Sequence, residues 1–259
     1  MQLSIASELE VKKNISKLCV DSTLVVIPAR GGSKRIPNKN IKEIFGQPMI
    51  YWPLMEINKI FNRDNVLIST DSKLIKEFSE RKGLSVPFMR PENLSDDFTG
   101  TAAVVEHALN WYEANIKKVE FVLTVYPTAV LLNEKDIHAA MAALNQDLHC
   151  DSVMSAVNFS FPIQRAVYEN DQGFAEMFYP EQYSTRSQDL IEAKHDAGQF
   201  YLSRAESIRS GALLTNSKVR LQLIHRNNVV DIDTIEDFEI AEEKLRIYKK
   251  NLIDKNWTF

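Results

Sequence analysis

Two groups of residues in this chain have the types and spacing to do chemistry. The first is a set of cations around a pair of glycines: Arg30, Gly31, Gly32, Ser33, Lys34, Arg35, Lys39 and Asn40. Glycine lets backbone N–H groups approach an anion closely. Arg30, Lys34 and Lys39 carry the charge to neutralise a polyphosphate, arginine as a planar fork and lysine as a point charge. The second is the pair Asp231 and Asp233. If residues 229–233 form a strand, a period of two puts both carboxylates on one face of the sheet. Two such groups repel unless a cation lies between them. Mg²⁺ (or Mn²⁺) accepts one or two carboxylates together with phosphate oxygens. Each group also has a plainer reading, a solvated basic loop for the first and a helix cap at Asp233 for the second. Together they fit metal-assisted nucleotidyl transfer.

The elements that must position these residues follow from periodicity. Residues 24–27 form a short β-branched apolar run that reads as a buried strand stopped by Pro28. The cation loop follows directly, where open α/β sheets hold ligands. It is neither GxxxxGK[ST] nor GxGxxG. A helix is predicted over about 49–61, with Pro48 in its first turn, then a strand at 65–69. Asp71 and Ser72 are placed to cap a helix over 73–82, and capping is the plain reading of Asp71. A strand at 84–88 leads into a polar loop, 90–101. Then come a helix at 102–115 bearing a lone His107, a strand at 119–125, a helix at 134–144 and a strand at 152–157. Helical His107 reads as packing or surface. Strands separated by helices argue for βαβ units and a largely parallel sheet.

Between 158 and 197 this rhythm fails. The stretch is rich in aromatics and turns and reads as an inserted arm, with a β-hairpin around Asn170 to Gly173. Its aromatics need covering, by the domain or by a second subunit. Strands are predicted again at 198–202, 219–224 and 229–233. Thr234 then caps a final helix running to about residue 250. Residues 1–22 read as an N-terminal extension and 23–259 as one domain with its arm.

Composition narrows the function. A hydrophobic content of 44% and a charged content of 25% over 259 residues suit a globular α/β chain with a substantial core. The net charge of −4 means that the cations are concentrated locally, which favours a small anionic ligand over nucleic acid. Cys19 and Cys150 make no CxxC or Cys/His metal spacing, and a reduced protein is expected. No apolar run approaches the roughly 20 residues that cross a bilayer. Glu8, Glu10, Lys12 and Lys13 interrupt any signal-peptide core. The expectation is a cytoplasmic location without membrane contact.

The order Ala-Arg-Gly-Gly-Ser-Lys-Arg-Ile-Pro-x-Lys-Asn from Ala29 resembles the signature of the acylneuraminate (CMP-sialic acid synthetase) cytidylyltransferases. The resemblance runs from Leu24 to about Ala241. It includes Ser69-Thr70-Asp71, the RPxxLSDD stretch from Arg90, and Asp231-Ile232-Asp233-Thr234. Within that family the chain most resembles the pseudaminic acid cytidylyltransferases. The matching runs are Phe161-Pro-Ile-Gln-Arg165-Ala, Ser184-Thr-Arg186-Ser-Gln-Asp189-Leu and His195-Asp-Ala-Gly-Gln-Phe-Tyr201. Two departures count against sialic acid itself. Tyr126 stands where a glutamine is common in the strand-end turn, and Asp196 stands in place of an Asn-Gly turn.

The resemblance implies a Rossmann-like three-layer αβα fold with a mostly parallel sheet and a dimerisation arm at 158–197. It implies CTP and a nonulosonic acid as substrates, pyrophosphate as product, and a homodimer. The nucleotide-binding residues it implies are Ala29, Arg30, Gly31, Gly32, Ser33, Lys34, Lys39, Asn40, Asp71 and Thr99. Arg30 and Lys34 would hold the β- and γ-phosphates, Lys39 the α-phosphate, and Asp231 and Asp233 the metal, with Asp233 accepting the proton. Arg186 or Arg165 would take the sugar carboxylate, and His195, Asp196 and Gln199 its hydroxyl and acylamino groups. The alternatives are activation of sialic acid, legionaminic acid or Kdo, and a non-catalytic nucleotide-binding module of the same fold.

Overall fold

The computed structural model describes residues 20–211 and 218–248. Most of the proposed N-terminal extension, Cys19 and the last residues of the span expected for the final helix lie outside them. The first strand, β1 (Thr23–Pro28), is buried from Thr23 through Ile27. Its neighbours β4 (Val66–Ser69) and β5 (Phe121–Val125) are buried at every position. Strands covered on both faces read as continuous apolar runs, which is why these were legible.

Six strands form the main sheet. With β6 (Ser152–Asn158), β9 (Lys194–Arg204) and β10 (Val219–Leu223), the order is β10-β6-β9-β5-β1-β4. β1 pairs parallel with β4 and β5, and β10 parallel with β6. β9 is antiparallel to both neighbours, β5 and β6. The sheet is thus mostly parallel with one reversed interior strand.

Alternate residues of the strands face two separate cores. Val25, Ile27, Ile68 and Leu123 pack with α1 (Tyr51–Ile57), α2 (Lys73–Arg81) and α4 (Glu134–Gln146). Leu24, Val26, Leu67 and Val122 pack with α3 (Thr101–Asn115) and α5 (Ala205–Arg209) on the other face. The layers are therefore helix, sheet, helix. The last helix, α6 (Ile235–Tyr248), joins Ile36, Ile44, Trp52 and Leu131 in a third cluster beneath the loops that follow β1.

Several elements differ from the sequence expectation. Pro48 does not start a helix. It lies in β3 (Gln47–Pro48), paired with β2 (Glu43–Ile44) around Phe45 and Gly46, both at positive φ. The helix after it is correspondingly short. Residues 84–88 make one isolated bridge, Leu67 to Ser85, with a second just beyond at Thr70 to Met89, and no strand. Residues 229–233 also form no strand. The carbonyls that a strand would pair are taken by side chains. Asn228 O accepts from Gln199 Nε2 (2.6 Å), Val229 O from Lys244 Nζ (2.6 Å) and Ile232 O from Lys39 Nζ (2.6 Å). The argument that Asp231 and Asp233 share one face of a strand therefore fails, although both lie near Lys39.

The predicted hairpin is present, as β7 (Val167–Glu169) and β8 (Ala175–Met177). Asn170 Oδ1 accepts from the backbone N–H groups of Gln172 (3.0 Å) and Phe174 (2.9 Å), and Gly173 supplies the positive φ. β9 begins at Lys194, so it takes the last residues of the stretch read as arm.

Candidate active site

The crevice of interest opens beyond the carboxyl ends of β1 and β5. The strand order runs outward from β1 to β4 on one side and to β5 on the other, the switch point at which open α/β sheets bind ligands. It encloses about 500 Å³, and five cations line it: Arg30, Lys34, Arg35, Lys39 and Arg90.

The loop after β1 is held in shape by its neighbours. Ala29 N donates to Ser69 O (2.9 Å), extending the β1–β4 ladder by one bond. Gly31 N donates to Asp71 Oδ1 (2.8 Å). A Cβ on Gly31 would stand 2.8 Å from the Ser72 Cβ, so only glycine lets the loop pass there. Around Gly32 the same test finds open space. Asn40, buried, donates from Nδ2 to Arg30 O (2.8 Å). Asp71 therefore does not cap α2; Ser72 does, accepting from Ile75 N (3.4 Å). Asp71 and Asn40 shape the anion loop from below.

The loop cations are already paired with acids. Asp97 sits between Arg30 (Nη1–Oδ1 2.8 Å) and Lys34 Nζ. Hydrogen bonds and charge from Lys34 and then Arg30 hold its carboxyl below the usual range. Arg30 also donates to Asp96 O (3.2 Å). Asp96 turns the loop by accepting from Thr99 N (2.6 Å), and the Thr99 hydroxyl donates to Asn93 O (3.2 Å). Ser33, Lys34 and Thr99 all line the crevice.

Arg90 is a functional candidate that the sequence reading missed. It is buried, and its guanidinium donates to Ser69 Oγ (3.1 Å) and Ser69 O. Burial lowers its pKa, Asp71 opposes this, and Arg30 adds to it. The signal was available: an arginine heads the RPxxLSDD run at the end of a strand-like segment.

The acid pair approaches from the opposite end of the chain. Asp233 Oδ1 accepts from Lys39 Nζ (3.2 Å), and its Oδ2 pairs with Arg35 Nη2 (2.8 Å). A capping box sets it in place. Thr234 Oγ1 accepts from Asp237 N (3.2 Å), while Asp237 Oδ2 accepts from Asp233 N (3.0 Å) and Thr234 N (2.8 Å). Asp231 does not line the crevice. Its carboxyl is pushed up by partial burial first and then by Asp233, with Lys39 opposing. Among the described residues no three His, Cys, Asp or Glu side chains group as a metal site. Two carboxylates that disfavour each other's charge suit a hard cation whose remaining ligands are phosphate oxygens and water.

The residues expected to bind the sugar lie apart from this crevice. Arg165 ties the segment after β8 back to its own turn, donating to the carbonyls of Gln182 (3.1 Å), Tyr183 (2.9 Å) and Thr185. Arg186 is exposed and pairs with Asp189 (2.7 Å). His195 and Asp196 are exposed at the start of β9, and Gln199 is buried with Oε1 lacking a hydrogen-bond partner. None of the five lines the crevice.

Known proteins resemble this chain in sequence and in fold. The sequence profile of the Cytidylyltransferase family matches residues 24–243. The chain is 37% identical over 228 residues to a pseudaminic acid cytidylyltransferase of Campylobacter jejuni, covering 88% of this chain and 97% of that protein. It is 25% identical over 238 residues to a CMP-N,N'-diacetyllegionaminic acid synthase of Legionella pneumophila, covering 89% and 99%. Among solved structures, a CMP:2-keto-3-deoxy-manno-octonic acid synthetase complexed with CTP superposes with a TM-score of 0.66 at 15% identity, covering 89% of this chain and all of that one. That likeness supports the fold. With its profile matched over most of its length and a crevice built from cations at a strand end, this chain belongs to the cytidylyltransferase family.

Proposed function

We propose that this enzyme transfers CMP from CTP to the anomeric hydroxyl of a nonulosonic acid, pseudaminic acid in particular, and releases pyrophosphate. The observation that carries the proposal is the bond between Lys39 and Asp233. It joins the anion loop to Asp233, the crevice-lining member of the acid pair, where a triphosphate and a metal would meet. The substrate follows the names of the relatives of higher identity, and Tyr126 and Asp196 depart from the sialic-acid pattern in the same direction.

The C2 hydroxyl oxygen forms a bond to the α-phosphorus while the bond from that phosphorus to the bridging oxygen breaks. Pyrophosphate leaves with that electron pair. Such transfers depend on positioning and charge neutralisation. Arg30 and Lys34 hold the β- and γ-phosphates after exchanging Asp97 for phosphate oxygens. Lys39 neutralises charge near the α-phosphate. Asp233, the member of the pair that lines the crevice, takes the hydroxyl proton. Mg²⁺ or Mn²⁺ would be held by Asp231 and Asp233, and would polarise the phosphate and lower the hydroxyl pKa.

We infer further that the arm crosses to a second copy of the chain. Exposed apolar side chains support this, with Phe161 at 80% and Ile191 at 84% exposure. So does Arg186, which lines no part of its own crevice. A homodimer would bring Arg186 to the partner's sugar carboxylate. The need for CTP, and the absence among the described residues of a helix able to cross a membrane, are consistent with a cytoplasmic location.

The test is pyrophosphate release by purified protein with CTP, Mg²⁺ and pseudaminic acid, with the CMP-sugar identified by mass. Faster turnover of sialic acid, legionaminic acid or Kdo would reassign the substrate. No release with any of them would leave a nucleotide-binding module.

A further inference from the structure

The chain leaves the main sheet just before the acid pair. β10 ends at Leu223, and one more bond, from Ile224 N to Ala156 O (2.8 Å), closes its ladder to β6. Beyond it come a single 3-10 turn, Arg226–Asn228, and the run 229–233, which has no strand partner. Four side chains hold this run instead. Gln199 of β9 takes Asn228 O, and Lys39 of the anion loop takes Ile232 O. The other two come from α6. Asp237 receives the N–H groups of Asp233 and Thr234, and Lys244 Nζ donates to Val229 O (2.6 Å) and Arg226 O (3.3 Å).

Asp237 and Lys244 are seven residues apart, two turns of α6, so they lie on one face and about 10 Å apart along the axis. Ala241, between them on that face, is fully buried. The helix therefore lies along the run as a splint with a polar anchor near each end. Lys244 is half-buried, and its hydrogen bonds go to backbone carbonyls. Burial first, and then the like charge of Arg226, pushes its pKa down. Drawing an ammonium partly out of water for two carbonyls is costly. What those carbonyls fix is the approach to Asp231, two residues on. Asp231 and Asp233 repel each other, and a run without a strand partner yields to that repulsion unless both of its ends are held. Lys39 and Asp237 hold the Asp233 end. Lys244 and Gln199 hold the Asp231 end.

We propose that Lys244 is a positioning residue for cytidylyl transfer, which acts through the backbone of residues 226–230 to keep Asp231 beside Asp233 so that the two share one divalent cation. This rests on the cytidylyl-transfer reading above. Lys244 touches neither carboxylate and lines no part of the crevice. Partners one step removed from a metal set the direction of its ligands, and their loss weakens metal binding about 10- to 100-fold.

The experiment compares wild type, Lys244→Met and Lys244→Arg. Electron paramagnetic resonance gives the Mn²⁺ dissociation constant with CTP present and no sugar acid. Pyrophosphate release gives kcat, the CTP KM at saturating Mg²⁺ and the Mg²⁺ concentration for half-maximal rate. Lys244→Met is expected to raise the Mn²⁺ dissociation constant and the Mg²⁺ requirement about tenfold or more. The CTP KM should stay within about twofold. Lys244→Arg, which keeps the charge and the donors, should recover most of the loss. If Lys244→Met does not fold, Lys244→Gln carries the same comparison with a shorter, neutral amide. A lower melting temperature with unchanged metal binding would limit Lys244 to stability and overturn the proposal. So would a CTP KM that rises as much as the metal constant, or an arginine variant no better than methionine. Wild type that binds no Mn²⁺ beside CTP would instead overturn the metal-assisted reading, and this inference with it.

Discussion

Lys39 and Asp233 are 194 positions apart in sequence and bonded in space, Nζ to Oδ1 at 3.2 Å. The lysine comes from the loop after the first strand and the aspartate from just before the last helix. Lys39 is mostly buried, and its second bond, to Ile232 O at 2.6 Å, fixes the backbone between the two aspartates. Replacing it by methionine keeps the length and removes the charge. The expected result is a fall in kcat of roughly 100-fold or more, the usual scale for one preorganised charge contact in a transition state. Steady-state pyrophosphate release, with circular dichroism as a check on folding, measures it.

Arg30→Ala should produce a comparable loss in kcat, about 100-fold or more, while the melting temperature barely changes. The side chain is well exposed and its partners are a surface carboxylate and a loop carbonyl. A near-wild-type rate would remove Arg30 from the catalytic machinery.

Asp97 pairs with both Arg30 and Lys34. Asp97→Asn should release both cations and lower the CTP KM by about fivefold at most, since exposed, solvent-screened ion pairs contribute little. Raising the salt concentration should erase much of the difference between variant and wild type. A large rise in the CTP KM would instead mean that Asp97 holds the loop in its binding shape.

Asp237 is the distal half of the capping box around Asp233. Losing such a cap costs about 1 kcal/mol, which for a chain of this size moves the melting temperature by roughly 2–4 °C. Asp237→Ala should therefore show a modest thermal shift together with a lower kcat, because Asp233 loses its backbone anchor. A thermal shift with unchanged kcat would limit Asp237 to stability.

Arg186→Ala should raise the sugar KM far more than the CTP KM. If the arm serves a partner's crevice, mixing Arg186→Ala and Asp233→Ala proteins should restore part of the activity at low sugar concentration, because one crevice of the mixed dimer then holds both side chains. No recovery after subunit exchange would place Arg186 in its own subunit's site.

The βα rhythm was legible in the sequence because strands buried on both faces, such as Val66–Ser69, are uninterrupted apolar runs. The cation loop was legible because Arg30, Lys34 and Lys39 crowd around two glycines. What the sequence hid were contacts made by the chain's own polar groups. Asp71 looked like a helix cap and instead receives Gly31 N–H. The stretch around Asp231 looked like a strand because it alternates, yet Gln199, Lys244 and Lys39 take its neighbouring carbonyls. Arg90 looked like part of a loop although it heads the RPxxLSDD run, and its burial against Ser69 shows it to be a wall of the crevice. Tyr126 and Asp196 were visible only as two separate departures, because Tyr201 joins them through space.

The central claim is that one CTP and one divalent ion meet between the anion loop and the acid pair. A crystal structure with CTP and Mn²⁺, located by anomalous scattering, tests it most directly. The account predicts a manganese peak bound by Asp231 and Asp233 and by phosphate oxygens, with Arg30 and Lys34 turned from Asp97 onto the β- and γ-phosphates. A triphosphate bound elsewhere, or manganese held without either aspartate, would contradict it.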